Sequence, residues 1–280
     1  ADLLVTVEDA AGNVSTDLVY LTIDNTNPTV SNVATAAIRS GQTSVITGGT
    51  NSYLNSTPNS SQSLAITDIN VDGSRPAGLT WQVDAHNQLT ITAGSGEVTN
   101  KNITVKDSAG NWSTSTGQFL TIDNTAPELT SITDRWIKNG ETTVINGSGF
   151  QSFGGDASAV TIGGKDLKTA VGSGGLGGDF TVNSDTKITV TAGAGEVTRG
   201  IVTVTDAVGN VSGSIKAISI DNTRPAAPEK LWLWTYDSGT TEDQISYDDN
   251  PHFYIKGVSS SDSIVVRVTK AGTANNAAWM

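Results

Sequence analysis

Apolar and polar residues alternate with a period of two in LLVTVED (3–9), NITVKD (102–107), GIVTVTD (200–206) and KITVTAG (187–193). That period puts one row of side chains against a core and the other against water, which predicts half-buried β-strands. Each of the first three runs stops at an aspartate: Asp9, Asp107 or Asp206. Behind them stand AAGN, SAGN and AVGN, whose Gly and Asn tolerate positive φ, so the chain reverses there. It returns as LVYLTID, GQFLTID or KAISID, ending at Asp24, Asp123 and Asp221. The two runs predict the last hairpin of a unit. Pro28, Pro127 and Pro225 then stop the pairing, because proline lacks the amide that a central strand needs.

The recurrence has a fixed offset. Asp9 to Asp107 is 98 residues and Asp107 to Asp206 is 99; Asp24 to Asp123 is 99 and Asp123 to Asp221 is 98. A period of about one hundred residues is too long for a solenoid repeat and suits a small sandwich with its own core. PTVSNVATAAIRSGQTSVITGG (28–49) and PELTSITDRWIKNGETTVINGSG (127–149) read as the first two strands of a unit joined by a Gly-containing turn, with five or more strands following. The expected architecture is all-β, with tandem immunoglobulin-like β-sandwich domains arranged as a linear rod. Residues 1–26 read as the closing hairpin of a preceding repeat, 27–125 and 126–224 as two repeats, and 225–280 as a divergent or truncated unit.

Composition narrows the partners. The 280 residues carry 16 Lys and Arg against 28 Asp and Glu, a net charge of −12, and no basic run offers a track for phosphates. Nucleic acid is not an expected partner. Thirty glycines with abundant Thr, Ser and Asn favour tight turns over helices. No stretch reaches the ~20 apolar residues needed to cross a bilayer, and no charged-then-apolar leader opens the sequence. Without cysteine no disulfide ties the sheets, which points to a reducing compartment or to a bacterial surface protein stabilised by something else.

The repeated carboxylates suggest what that is. In an immunoglobulin-like topology the turn between the last two strands lies at the end where the preceding linker arrives. Asp107 is therefore expected to face Asp24, and Asp206 to face Asp123. A second repeated element, AGSGEVT (93–99) and AGAGEVT (192–198), precedes the penultimate strand and occupies the exit end. It should bring Glu97 near Asp123 and Asp206, and Glu196 near Asp221. Bare, such a cluster repels itself; a hard divalent cation with six to eight oxygen ligands turns repulsion into a clamp, and Ca²⁺ suits irregular geometry better than Mg²⁺. No His or Cys set supports zinc. Asp before Gly-Asn is also ordinary hairpin chemistry, and both readings stand at this point.

D-x-x-G-N-x-S followed by I-D-N-T-x-P resembles the bacterial immunoglobulin-like repeats of giant, type I-secreted non-fimbrial adhesins, over most of the chain and most closely over residues 1–225. YDSGTTEDQISYDDNP (236–251) resembles the opening of related adhesin repeats. The resemblance implies an extracellular, surface-bound or secreted stalk for host-cell adhesion, with Ca²⁺ at the domain boundaries. Asp9, Asp24, Asp107, Asp123, Asp206 and Asp221 match the aspartates of the family motifs, whereas Glu97 and Glu196 rest on topology. In the tail, which departs from the main repeat, Asp237, Asp243, Asp248 and Asp249 are the matching candidates. The implied partners are neighbouring repeats of the same chain and a host-cell surface glycan or receptor, with the segment monomeric.

Other signals fail. DINVDG (68–73) starts like an EF-hand loop, but its twelfth position is Leu79 where a bidentate Glu is required, so it reads as a polar turn. His86 and His252 sit in no nucleophile motif, and the paired carboxylates lie at boundaries instead of a cleft, so no enzyme is expected. KLWLWTY (230–236) alternates Trp232, Trp234 and Tyr236 with Leu231 and Leu233; one row belongs to a core. Trp81 aligns with Phe180 and reads as core, and Trp112 replaces Val14 and Val211 beside the junction turn, where packing across the boundary is expected. The competing reading is a glycan-binding module using exposed aromatics or the variable loops GGTNSYLNSTPNSS (48–61) and GSGGLGGD (172–179).

Overall fold

A computed structural model describes residues 2–20, 25–48, 66–83, 89–114, 117–152, 154–214, 216–226, 229–233 and 253–256. The chain divides into two compact units, Ala1–Asn222 and Thr223–Met280. Among the described residues the regular structure is β-strand apart from one short 3₁₀ turn, Val171–Ser173.

The first unit opens with an antiparallel hairpin, β1 (Asp2–Glu8) and β2 (Val14–Tyr20), registered from Asp2 opposite Tyr20 to Glu8 opposite Val14. The first sandwich follows with β3 (Asn32–Val33), β4 (Ala37–Ile38), β5 (Thr43–Thr47), β6 (Asp68–Val71), β7 (Thr80–Val83), β8 (Leu89–Thr92), β9 (Val98–Lys106) and β10 (Phe119–Ile122). Its sheets are ordered β3-β5-β8-β7 and β4-β10-β9-β6. The second sandwich comprises β11 (Glu128–Ile132), β12 (Trp136–Ile137), β13 (Thr142–Ser148), β14 (Gln151–Ser152), β15 (Gly155–Asp156), β16 (Ala159–Ile162), β17 (Lys165–Asp166), β18 (Asp179–Ser184), β19 (Lys187–Thr191), β20 (Val197–Thr205) and β21 (Ala217–Ile220). Its main sheets repeat the plan as β11-β13-β19-β18 and β12-β21-β20-β16-β17.

Each sandwich buries its own core. Ile46, Ile69, Leu89, Ile91, Ile103 and Leu120 close the first, and Phe150, Val160, Ile162, Ile188, Val202 and Ile218 the second. Ile46, Ile69, Leu89, Ile91, Ile103, Val160, Ile162, Ile188 and Val202 are alternate residues of their strands, so there the alternation reads directly as inward and outward faces. Trp81 and Phe180 hold equivalent places, opposite Ile91 and Val190, and both pack on their cores. A cation covers each ring: the Arg75 guanidinium lies 4.5 Å from the Trp81 centroid and the Lys168 ammonium 4.1 Å from that of Phe180.

Two expectations need correction. The first strand of a unit is not one strand. In the first sandwich β3 pairs antiparallel with β5, and four residues on β4 pairs parallel with β10 in the opposite sheet. β11 and β12 make the same switch. The crossing peptides need a partner that neither ladder supplies, and a buried hydroxyl provides it: Thr35 N–H donates to Ser44 Oγ at 3.0 Å, and Asp134 N–H to Thr143 Oγ1 at 3.0 Å. DINVDG, in turn, is mostly strand; Asp68–Val71 form β6, and only Asp72 and Gly73 turn, with φ of 54° and 80°.

The second unit contains an antiparallel pair, β22 (Lys230–Leu233) with β23 (Phe253–Lys256), in which Trp232 lies opposite Tyr254. Trp234, Tyr236, His86, His252 and residues 49–61 lie outside the described residues.

Candidate inter-repeat junction

The D-x-x-G-N segments build a single kind of turn. β1, β9 and β20 each end one residue before the aspartate. In the third copy Asp206 N–H donates to Asn210 O at 3.0 Å, closing the loop. The Asp206 carboxylate fills its centre: Oδ1 accepts the amides of Val208 (3.0 Å), Gly209 (2.7 Å) and Asn210 (2.8 Å), and Oδ2 accepts the Asn210 side-chain amide at 2.8 Å. Asp107 likewise takes the Asn111 amide at 2.8 Å and its side chain at 3.0 Å. Asp9 takes the amides of Ala11 and Asn13 and the Asn13 side chain, each at 2.9 Å. The Asn13 side-chain amide, followed by the loop's backbone amides, holds the Asp9 carboxyl below the usual aspartate range. Asp107 and Asp206 are each only 2 % exposed, whereas Asp9 is exposed.

The I-D-N-T segments close the far end. Asp123 N–H donates to Ile38 O at 3.0 Å, and Asp123 Oδ1 accepts from Thr125 N–H at 3.0 Å. Asn124 ties three segments together: its Oδ1 accepts from Ser40 N–H at 2.6 Å, its side-chain amide donates to Gly94 O at 3.2 Å, and its backbone amide donates to Glu97 Oε1 at 2.8 Å. Asn222 repeats this, accepting from Asn139 N–H at 2.7 Å and donating to Gly193 O and Gly195 O at 3.2 and 3.3 Å. This binds the segment carrying Glu196 to the one carrying Asp221. The glycines of AGSGEVT and AGAGEVT have a steric reason: a Cβ on Gly94 would fall on the backbone of Gly78, and one on Gly193 on that of Gly177.

The two ends meet between the sandwiches. The Asn210 side-chain amide donates to Asp123 O at 2.9 Å, and Gln42 Nε2 donates to Val208 O at 3.2 Å. A Cβ on Gly209, whose φ is +97°, would lie 3.2 Å from Arg39 Nε; one on Gly154 would meet the Cβ atoms of Ala207 at 3.0 Å and Ala37 at 3.5 Å. Asp123 is half-buried here. Desolvation raises its pKa first, against the opposing Thr125 amide, and the nearby charges of Asp206 and Glu97 raise it further. The structure thus gathers Glu97, Asp123 and Asp206.

Their chemistry fits a hard cation in kind: oxygen donors only, with mutual repulsion to relieve. Their arrangement is more self-contained, because most of their oxygens already serve turn amides, and among the described residues no three carboxylates or imidazoles stand close enough to share an ion. Asp24, Asp237, Asp243, Asp248 and Asp249 lie outside the described residues, so the facing of Asp107 and Asp24 does too. Trp112 is half-buried with the Lys106 ammonium 5.7 Å from its ring, a partner in its own sandwich. The GSGGLGGD loop is anchored by Leu176, which is fully buried in the second core. The sequence reading missed Asn124, Asn210 and Asn222; the signal was present, since Asn stands in every copy of both motifs.

No family model and no curated protein matches the chain. Partial likeness to solved structures is found. The Bacteroides ovatus mixed-linkage glucan utilization locus protein SGBP-B, in complex with a heptasaccharide, is 18 % identical at a TM-score of 0.28, over 78 % of this chain and 52 % of its own. A protein solved with xylogluco-oligosaccharide is 19 % identical at 0.28, over 73 % and 43 %. A Gamma-CGTase from an alkalophilic Bacillus clarkii is 15 % identical at 0.28, over 69 % and 27 %. The chain spans about half or less of each, and likeness of this degree extends to neither substrate nor activity. Among the described residues no helix is long and apolar enough to cross a membrane.

Proposed function

We propose that this chain is a non-catalytic segment of an extracellular bacterial adhesin stalk, a linear rod of immunoglobulin-like sandwiches stiffened by Ca²⁺ at their junctions. The observation that carries the reading is the pair of hydrogen bonds across the boundary, Asn210 to Asp123 O and Gln42 to Val208 O. A tether left to swing freely would have no use for directional bonds between its beads, whereas a spacer that holds a binding tip at a distance needs a set angle. The Ca²⁺ part of the reading rests on the motif resemblance: Glu97, Asp123 and Asp206 are the candidate ligands, with Asp9, Asp24, Asp107, Glu196 and Asp221 as their counterparts in other copies of the motifs, and holding one ion would require the three to draw closer than they stand. The ion supplies positive charge where three carboxylates repel. An extracellular site with a dissociation constant of order 0.1–1 mM adds only about 0.4–1.4 kcal/mol at ~1 mM Ca²⁺, so the gain is stiffness more than fold stability. Small-angle scattering tests this: chelation should widen the spread of shapes while far-ultraviolet dichroism stays fixed, and an unchanged scattering profile would overturn the calcium clamp.

Glycan recognition is the second reading. One observation favours it: Trp136 is 66 % exposed on the edge strand β12, and aromatic faces stack on sugars. The saccharides named with two structural neighbours agree with it but lend it no weight at those TM-scores. Binding to a glycan array that disappears in Trp136→Ala would support it.

A further inference from the structure

Building on the fixed-junction reading, we infer that the junction is order-specific: Ala37, Arg39 and Gln42 fit the first sandwich to the 154 and 207–210 loops of the second, and the residues at the same places in the second sandwich do not fit those loops. The equivalences follow from the shared offset of 99 between Pro28 and Pro127, under which Ala37, Arg39 and Gln42 correspond to Trp136, Lys138 and Glu141. The structure supports that alignment residue by residue. Ala37 pairs with Thr121 as Trp136 pairs with Ser219, and Arg39 N–H donates to Gln42 Oε1 as Lys138 N–H donates to Glu141 Oε2.

Each replacement removes something the junction uses. Gln42 has two tasks: its Oε1 closes its own turn on Arg39 N–H at 2.9 Å, and its Nε2 crosses the boundary to Val208 O at 3.2 Å. A glutamate does the first as well, as Glu141 shows, and cannot do the second, because it offers no donor and sets a carboxylate against a carbonyl. It also adds negative charge at Val208, two residues along the chain from Asp206, whose charge already acts, with that of Glu97, on Asp123. Ala37 borders the Gly154 loop, where a Cβ on Gly154 would lie in ordinary contact, 3.5 Å, from the Ala37 methyl; an indole at this place brings about nine more heavy atoms to that contact and is expected to push the loop away or to turn from it. The Arg39 guanidinium lies flat enough against Gly209 that a Cβ there would sit 3.2–3.6 Å from three of its atoms, an area that a lysine amine does not cover. The partner that the first sandwich selects is thus an entry face with Gly154, Ala207, Val208 and Gly209, and the repeats are not interchangeable beads.

The absence of cysteine allows clean spin labelling at Thr80→Cys and Thr181→Cys, both exposed and one on each sandwich. Pulsed dipolar spectroscopy on the full chain in Ca²⁺-containing buffer should give a narrow distance distribution. Gln42→Glu should widen it about twofold, and Ala37→Trp/Arg39→Lys/Gln42→Glu more. Gln42→Glu keeps the turn bond and so keeps the fold, checked by an unchanged thermal midpoint of the first sandwich. A distribution as narrow in both variants as in the parent would overturn the inference while leaving the fixed junction standing. A broad distribution in the parent would overturn the fixed-junction reading and the inference together.

Discussion

Replacing Asp206 with alanine separates a turn held by a buried carboxylate from one merely decorated by it. The Asp206 side chain accepts four hydrogen bonds, from the Val208, Gly209 and Asn210 amides and the Asn210 side chain, and only 2 % of the residue is exposed. A hydrogen bond to a charged group contributes about 1.5–3 kcal/mol, and a buried donor left without a partner costs about 1–3 kcal/mol. The sum overstates the loss, because a surface turn can open to water once its centre is gone; a net cost of about 3–5 kcal/mol is expected, as for other broken buried ionic contacts. Against the 5–15 kcal/mol that hold a typical domain together, that is a large share. The assay is hydrogen exchange in calcium-free buffer, so that only the turn is tested. The Val202 and Val204 amides, bonded to Lys216 O and Ser212 Oγ inside the second sandwich, report its opening. They should exchange from about a hundredfold to a few thousandfold faster. Ile103 and Val105 in the first sandwich serve as an internal reference and should not change. Acceleration of less than about tenfold would refute the idea that this carboxylate holds the turn. The same substitution at the exposed Asp9 should have a smaller effect on its own hairpin, since water replaces what the side chain supplied.

Gly193→Ala drives a methyl group into the backbone of Gly177; a loss of about 2–3 kcal/mol and a fall of roughly 10–20 °C in the melting temperature of the second sandwich are expected by calorimetry. Asn124→Ala removes the acceptor for Ser40 N–H and the donor to Gly94 O, which should destabilise the first sandwich by about 1–2 kcal/mol in urea titrations. Asp68 has its pKa lowered chiefly by the hydrogen bond from Arg75, so the folded state favours the carboxylate. Its stabilising effect is present above the unfolded pKa and is lost as pH falls below about 4 through the folded value. Asp68→Asn should therefore shrink the drop in urea midpoint between pH 5 and pH 3.

Much of this was legible in the amino-acid order. Alternation marked the strands because one face of each meets a core, as Ile103 and Val105 do in β9 and Val202 and Val204 in β20. The repeat offset and the hairpin topology led to the expectation of Glu97, Asp123 and Asp206 in one neighbourhood; the structure brings Asp206 and Glu97 near enough for their charges to act on Asp123, and not near enough for the three to share an ion. Tertiary structure decided the rest. A period of two says which face is buried but not which strand lies alongside, so the switch from β3 to β4 across the two sheets became visible only with Ser44 and Thr143 at the crossing. Nor does a motif state its distant partners: within D-x-x-G-N, Asn210 reaches Asp123 O, a carbonyl 87 residues away. Local sequence sets backbone geometry through φ preference and short hydrogen bonds, whereas desolvation and cross-boundary bonds depend on what the remainder of the chain brings near.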